Sequence, residues 1–269
     1  MKNNVIKILL ILVAIAVIVF FGVKNRDEKD VLEEAGEINE SKSQDWWVNS
    51  GALMKMVPTG GSTNIGSLPE NSKWQKVYQE ANATDTDNGF YPQNIFRLLT
   101  RATWQNFEEQ AYFTIHTLNK SESPNRNDSN AILFFSRYKD SDNLYYAGIR
   151  VDGYSVIKKK INGIYSVLDE RQLFPDKAAY DRENNSMLIP LKRPIGLRFE
   201  TVTRKNGNVH LRLFADIGKT GIWTLVAEAD DRPLSSAAPL YEAGFGGVRT
   251  DFMDVSFEEI SFKQVSSLE

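Results

Sequence analysis

Five side chains within one stretch carry the chemistry that stands out in this chain. Between Ser136 and Gly163 the sequence reads SRYKDSDNLYYAGIRVDGYSVIKKKING, supplying Tyr138, Tyr146, Arg150, Lys158 and Lys160. Aromatic rings interleaved with cations suit a flat, polar chain, neutral or acidic, such as a polysaccharide. The rings offer apolar area, and the guanidinium and ammonium groups donate to hydroxyls and carboxylates. Counting by two along a strand puts Leu144, Tyr146, Gly148, Arg150 and Asp152 on one face, and Tyr145, Ala147, Ile149 and Val151 on the other. The second set reads as core. The first reads as a surface or groove in which Gly148 leaves room beside Tyr146, with an Arg150–Asp152 ion pair as the competing reading. Lys158 and Lys160 alternate away from Ile157, Lys159 and Ile161 and extend the cationic side if their strand is the neighbour. Arg97, with Arg101 and Trp104 in NIFRLLTRATW, either joins the same groove or caps loop carbonyls. Arg126, in SPNRNDSN, reads as an exposed loop charge.

Carboxylates form the second group of candidates. Asp85 and Asp87 lie in ATDTDNG, and Asp251 and Asp254 in RTDFMDV. Calcium gathers several oxygen ligands, so these four are candidates for a structural ion. The segment lacks the spacing and distal Glu of an EF-hand, and turn capping by Asx side chains accounts for the same residues. A retaining glycosidase needs two carboxyls about 5–5.5 Å apart, whereas Glu258 and Glu259 are adjacent and so point to opposite faces of a strand. A lyase could draw on Tyr146 and Arg150 with His116 or His210, yet both histidines sit in strand-like segments. The serines and threonines lack the glycine frame of a nucleophile elbow.

The elements that must position these residues are mostly strands. Segments 111–118 (AYFTIHTL) and 130–138 (NAILFFSRY) are rich in aromatic and β-branched residues. In 195–215, Ile195, Leu197 and Phe199 alternate with Gly196, Arg198 and Glu200, and a KNGN turn leads to Val209, Leu211 and Leu213. Asn206-Gly207 and Asn162-Gly163 are hairpin signals, because both residues tolerate positive φ. Asp152-Gly153 marks a further turn. Trp74–Asn82 is the best candidate for a short helix or an irregular surface loop. Many short strands, frequent turns and no long amphipathic helix predict an all-β, two-sheet antiparallel sandwich.

The order of these elements resembles the concanavalin A-like lectin/glucanase jelly roll, including laminin-G-like domains. An early strand pair around WWVNSGALMKMV, the central FFSRYKDSDNLYYAGIR and the closing GFGGVRTDFMDVSFEEISF carry the resemblance. In the closing stretch, Gly244–Gly247 and Asp254-Val255 match a Gly-rich turn followed by a last strand. The resemblance covers residues 45–264 and implies a carbohydrate-binding fold, sometimes with structural calcium. Glucanases of this superfamily use an E-x-D-x-E strand, which this chain lacks. Three functions follow as expectations: a polysaccharide-binding domain, a polysaccharide lyase or hydrolase, or a laminin-G-like protein-interaction domain.

The N-terminus determines the expected location. Residues 5–23 are an apolar run interrupted only by Lys7. As a helix they reach about 28 Å, close to the ~30 Å hydrocarbon core of a bilayer. No small-residue cleavage site follows Val23, so residues 1–23 are expected to stay as a signal-anchor in the cell membrane, single-pass, with the C-terminal part extracytoplasmic. Residues 24–44 are charged and free of aromatics, and read as a stalk. Residues 45–269 then form the sandwich domain. The chain has no cysteine, which removes thiol chemistry, disulfides and Cys-based metal sites. A formal charge of -3 without a sustained basic stripe argues against nucleic acid as a partner.

Overall fold

A computed structural model describes residues 30–233 and 237–266. Alternation of apolar and polar residues produces strands with two unlike faces, and the strands bury their apolar faces by stacking as two antiparallel sheets. The eight-stranded sheet runs in the order β1 (Val31–Glu33), β3 (Leu53–Val57), β4 (Gly60–Thr63), β15 (Met253–Gln264), β6 (Phe107–Leu118), β11 (Ile195–Thr203), β12 (Val209–Ile217) and β13 (Thr224–Asp231). The seven-stranded sheet runs β10 (Ile164–Gln172), β9 (Tyr154–Ile161), β8 (Asn143–Arg150), β7 (Ala131–Asp140), β14 (Gly244–Asp251), β5 (Ile95–Trp104) and β2 (Trp46–Ser50). The chain crosses between the sheets repeatedly, as a jelly roll does. This is the all-β, two-sheet antiparallel sandwich that the alternation predicts. The short helix α1 (Lys73–Ala81) forms within a residue of the expected segment.

The main core lies between the sheets. Phe134, Tyr145, Ala147, Ile149 and Ile157 from one sheet meet Phe113, Leu197, Phe199, Leu211 and Leu213 from the other. A second apolar cluster, with Leu133, Phe135, Tyr138, Leu144, Tyr146 and Val156, lies on the outer face of the seven-stranded sheet. The split between Tyr145 and Tyr146 follows the alternation along β8.

The hairpins form where the turn residues direct. Asn162 and Gly163 have φ of 49° and 81°, so Ile161 pairs with Ile164 across a two-residue turn. Thr203 pairs with Val209 across the KNGN turn. Two expectations change. The charged segment read as a stalk enters the sandwich early: Val31–Glu33 pair with β3, and Leu32 is buried. Gly244–Gly247 are not a turn but the start of β14, a strand inside the seven-stranded sheet, and the reversal before β15 falls at Phe252 with φ 52°. The apolar run at residues 5–23 lies outside the described residues. Among the described residues no helix is long and apolar enough to cross a membrane.

Candidate functional site

The outer face of the seven-stranded sheet gathers aromatic rings and cations by strand register. Tyr146 on β8 stands opposite Phe135 on β7 and Lys158 on β9. Leu144 stands opposite Lys160, which in turn faces Tyr165 on β10. Arg249 on β14 lies between Arg97 and Leu133. Loop 119–130, between β6 and β7, brings Asn125, Asn127, Ser129 and Asn130 to the same region. These four loop residues line a pocket of about 470 Å³ with Tyr146, Leu133, Ile95 and Phe252, and Asp85, Lys158, Tyr165, Arg249 and Asp251 supply its further polar groups, whereas Lys160 and Arg97 do not line it.

The two tyrosines divide the work. Tyr146 is 8 % exposed and makes no hydrogen bond to the protein among the described residues. Burial, with Tyr165 beside it, raises its phenol above the usual tyrosine range, so it is a neutral donor at pH 7. Tyr165 meets it edge-on at 5.9 Å between ring centroids and is 50 % exposed. The accessible ring for stacking is therefore Tyr165. The sequence points to Tyr146 as the ring of this face, and its burial is what passes that role to Tyr165. Counting back across the Asn162-Gly163 turn pairs Tyr165 with Lys160, and that signal could have found it.

The cations have different fates. Lys158 Nζ lies 5.8 Å from the Tyr146 ring centroid and has neither a hydrogen-bond nor an ion-pair partner among the described residues. Partial burial, then Arg150, holds its amine below the ordinary lysine range. Lys160 donates to the Ser141 carbonyl at 2.8 Å, pairs with Asp142 at 3.2 Å, and lies over Tyr165 at 4.8 Å. Arg97 Nε donates to Ser50 Oγ at 3.0 Å. Arg249 pairs with Asp251 at 2.7 Å, which holds its guanidinium firmly charged.

Arg150 and Tyr138 depart from the expected roles. Arg150 is committed within the protein, with two contacts to Asp152 and one to Glu170 at 2.6 Å. Burial alone would lower its pKa, but these carboxylates outweigh that effect and raise it. Its competing ion-pair reading holds. Tyr138 is buried on the same face against Phe135, 5.3 Å between centroids, and does not line the pocket. Gly148 does not make room for a ligand. A Cβ there would stand 2.0 Å from the Ile132 carbonyl oxygen, so close approach of β7 requires the glycine.

The carboxylates act as acceptors rather than as an ion cage. Asp85 accepts from Ser123 Oγ at 2.6 Å, Asn125 Nδ2 at 2.9 Å and Asn82 Nδ2 at 3.1 Å. Asp87 accepts from Asn119 and Ser121, Asp254 from the Gly66 amide and Gln93, and Asp251 from Arg249 and the Ala131 amide. Among the described residues no three acidic or histidine side chains converge as a metal set. These residues do not fit the calcium site considered for them, since protein donors already point at their oxygens.

Three further residues differ from their sequence reading. Arg126 is buried and holds the Ser121 and Arg182 carbonyls at 2.6 and 2.7 Å and Glu183 at 2.9 Å. Glu258 and Glu259 do not diverge: a β-bulge with φ 54° at Glu259 lets both reach Lys219 Nζ at 2.7 Å. His116 and His210 belong to the eight-stranded sheet, bonded to Ser256 and Asp230 at 2.8 Å, and so are not assembled with Tyr146 and Arg150.

No protein-family model and no curated protein matches the chain. Solved structures similar in fold include the carbohydrate binding module CBM66 from Bacillus subtilis, at 15% identity over 81% of this chain and 95% of that one, with a TM-score of 0.48. The winged bean acidic lectin complexed with methyl-alpha-D-galactose has 10% identity over 87% and 97%, with a TM-score of 0.46. The VIP36 exoplasmic/lumenal domain in its Ca2+/Man-bound form has 10% identity over 89% and 91%, with a TM-score of 0.45.

Proposed function

We propose that this protein is a membrane-tethered, extracytoplasmic polysaccharide-binding protein that takes a sugar chain at the outer face of its seven-stranded sheet. One observation carries the reading: a pocket of about 470 Å³ sets an exposed tyrosine ring beside unpartnered donors and loop amides. Its size suits a ligand of one or two sugar rings. Tyr165 offers a face for a pyranose ring. Lys158, the Tyr146 phenol and the rim amides of Asn125 and Asn127 offer donors for hydroxyls. The ring and these donors suit recognition of a sugar chain, which is the function proposed for them.

The tether belongs to the same proposal and rests on residues 5–23. Alkaline carbonate extraction of membranes should leave the protein in the pellet, and external protease should remove the domain from intact cells. Release by carbonate, or full protection from protease, would overturn the tether and its orientation. For the ligand, a glycan array is probed with the detergent-solubilised full chain, alongside a search for shortened products. Binding with intact glycans supports the reading. Release of oligosaccharides would establish an enzyme instead. Silence across the array would favour a protein-interaction domain.

A further inference from the structure

Three consecutive lysines on β9 meet three different environments. Lys159 points inward and pairs with Asp231 at 2.7 Å, where the Tyr145 hydroxyl also donates at 2.6 Å. Lys160 points outward and is tied to Ser141 and Asp142. Lys158 also points outward, into the pocket, and its amine has no counter-ion among the described residues. A half-buried ammonium gives up hydration, and among the described residues its near neighbour is the Tyr146 ring, with Glu170, Asp128 and Asp152 acting from farther away.

The acids around Lys158 are engaged elsewhere. Asp251 is paired with Arg249. Asp152 and Glu170 are paired with Arg150. Asp85 receives Ser123, Asn125 and Asn82, and Asp128 accepts from Ser129 Oγ at 3.2 Å. Glu170, Asp128 and Asp152 favour the charged amine from a distance, but none of them reaches Lys158 as an ion pair among the described residues. The Arg249 Nη atoms also make no protein hydrogen bond among the described residues, so a second cation faces the pocket with donors to spare.

We infer that the pocket selects a sugar bearing an anionic group, with Lys158 meeting the anion and Tyr165 the adjoining ring. The inference rests on the polysaccharide reading of the same site and narrows it to acidic glycans. The anion can be a uronate carboxylate or a sulfate ester, since either accepts from an ammonium and a guanidinium. Lys158 acts here as a specificity residue, and no covalent step is involved.

The test uses the detergent-solubilised full chain and matched polymers that differ in charge alone: polygalacturonate against its methyl ester, and dextran sulfate against dextran. Losing one charged hydrogen bond weakens binding about ten- to a hundred-fold. At least one charged polymer should bind more tightly than its neutral partner by about that factor, and Lys158→Met should abolish the difference. Preference for polygalacturonate identifies a uronate, and preference for dextran sulfate a sulfate ester. A second readout needs no variant: the bound acidic polymer should slow acylation of Lys158 by an amine-reactive reagent, read by peptide mass. Equal binding of charged and neutral polymers, or a preference that survives Lys158→Met, overturns the inference and leaves the polysaccharide reading intact. Failure of all four polymers, with Lys158 acylated at the same rate throughout, overturns the inference; if the glycan array is also silent, the polysaccharide reading falls with it.

Discussion

The two outer faces of the sandwich use the same residue types to opposite ends. On the eight-stranded sheet, Arg198 lies between Phe214 at 4.5 Å and Trp223 at 5.0 Å, and Arg212 pairs with Glu200. Trp223 also packs against Tyr112 over Gly196, so rings and cations close on one another. On the seven-stranded sheet, Tyr165 has Lys160 over its ring yet stays half exposed, and Lys158 has no ion-pair partner among the described residues, both beside a pocket. Aromatic and cationic composition alone therefore does not mark a binding surface. Among the described residues, Arg212 is held by Glu200, and Arg198 is covered by two rings although its Nε has no hydrogen-bond partner, whereas Lys158 has neither an ion-pair partner nor a covering side chain other than Tyr146. A satisfied or covered cation has little left to offer a ligand.

Substitutions at paired positions can break or sharpen this contrast. The largest effect is expected at Gly148, where an added Cβ meets backbone that cannot move aside. Gly148→Ala should lower stability by more than about 3 kcal/mol in urea titration, an effect reserved for a backbone conflict. A near-neutral result would mean that β7 and β8 have slack, and would return Gly148 to a ligand-facing role. Next comes Arg150→Ala, which strands Asp152 and Glu170 and should cost about 1.5–3 kcal/mol, while polysaccharide affinity of the folded fraction stays unchanged. A large loss of affinity with an unaltered melting curve would show that Arg150 serves the ligand after all.

On the opposite face, Gly196→Ala pushes on Tyr112 and Trp223 side chains at 2.7 and 2.9 Å, which can shift. It should cost about 1–3 kcal/mol, red-shift Trp223 fluorescence, and leave polysaccharide binding untouched. Binding lost with Gly196→Ala would place a ligand on the eight-stranded sheet and erase the distinction. The smallest effect is expected at Lys158. Its amine is held below its unfolded value, so between the folded and unfolded pKa the unfolded chain binds more protons, and stability rises with pH. At neutral pH the amine is charged in both states and the fold bears the desolvation cost in full. Lys158→Met should therefore raise stability by less than about 0.5 kcal/mol at pH 7. The gain should fade as pH climbs toward the ordinary lysine range of about 10.4. A variant less stable than the parent at pH 7 would reveal a partner for Lys158.

Much of this face was readable in the sequence. Alternation along β8 separated Tyr145, Ala147 and Ile149 from Tyr146, and the Asn162-Gly163 turn placed β9 beside β10 in a countable register. Those features are local, since a pleat turns successive side chains to opposite faces wherever the strand lies. The same rule failed at Glu258 and Glu259, where a bulge adds a residue and reverses the parity. It was silent on loop 119–130, whose position over β7–β9 depends on Arg126 gripping a segment more than fifty residues away.

The sequence by itself determined the all-β sandwich, its main hairpins, and which residues of β8 and β9 look outward. Tertiary structure alone decided which of those outward cations remain available. Lys159 is met by Asp231 from the other sheet, Arg150 by Glu170 from the next hairpin strand, and Lys158 by no acid at ion-pair distance among the described residues. The physical reason is one of range. Strand parity follows from the bonds of the local chain, whereas the fate of a charge depends on which opposite charges distant segments bring within about 4 Å of it.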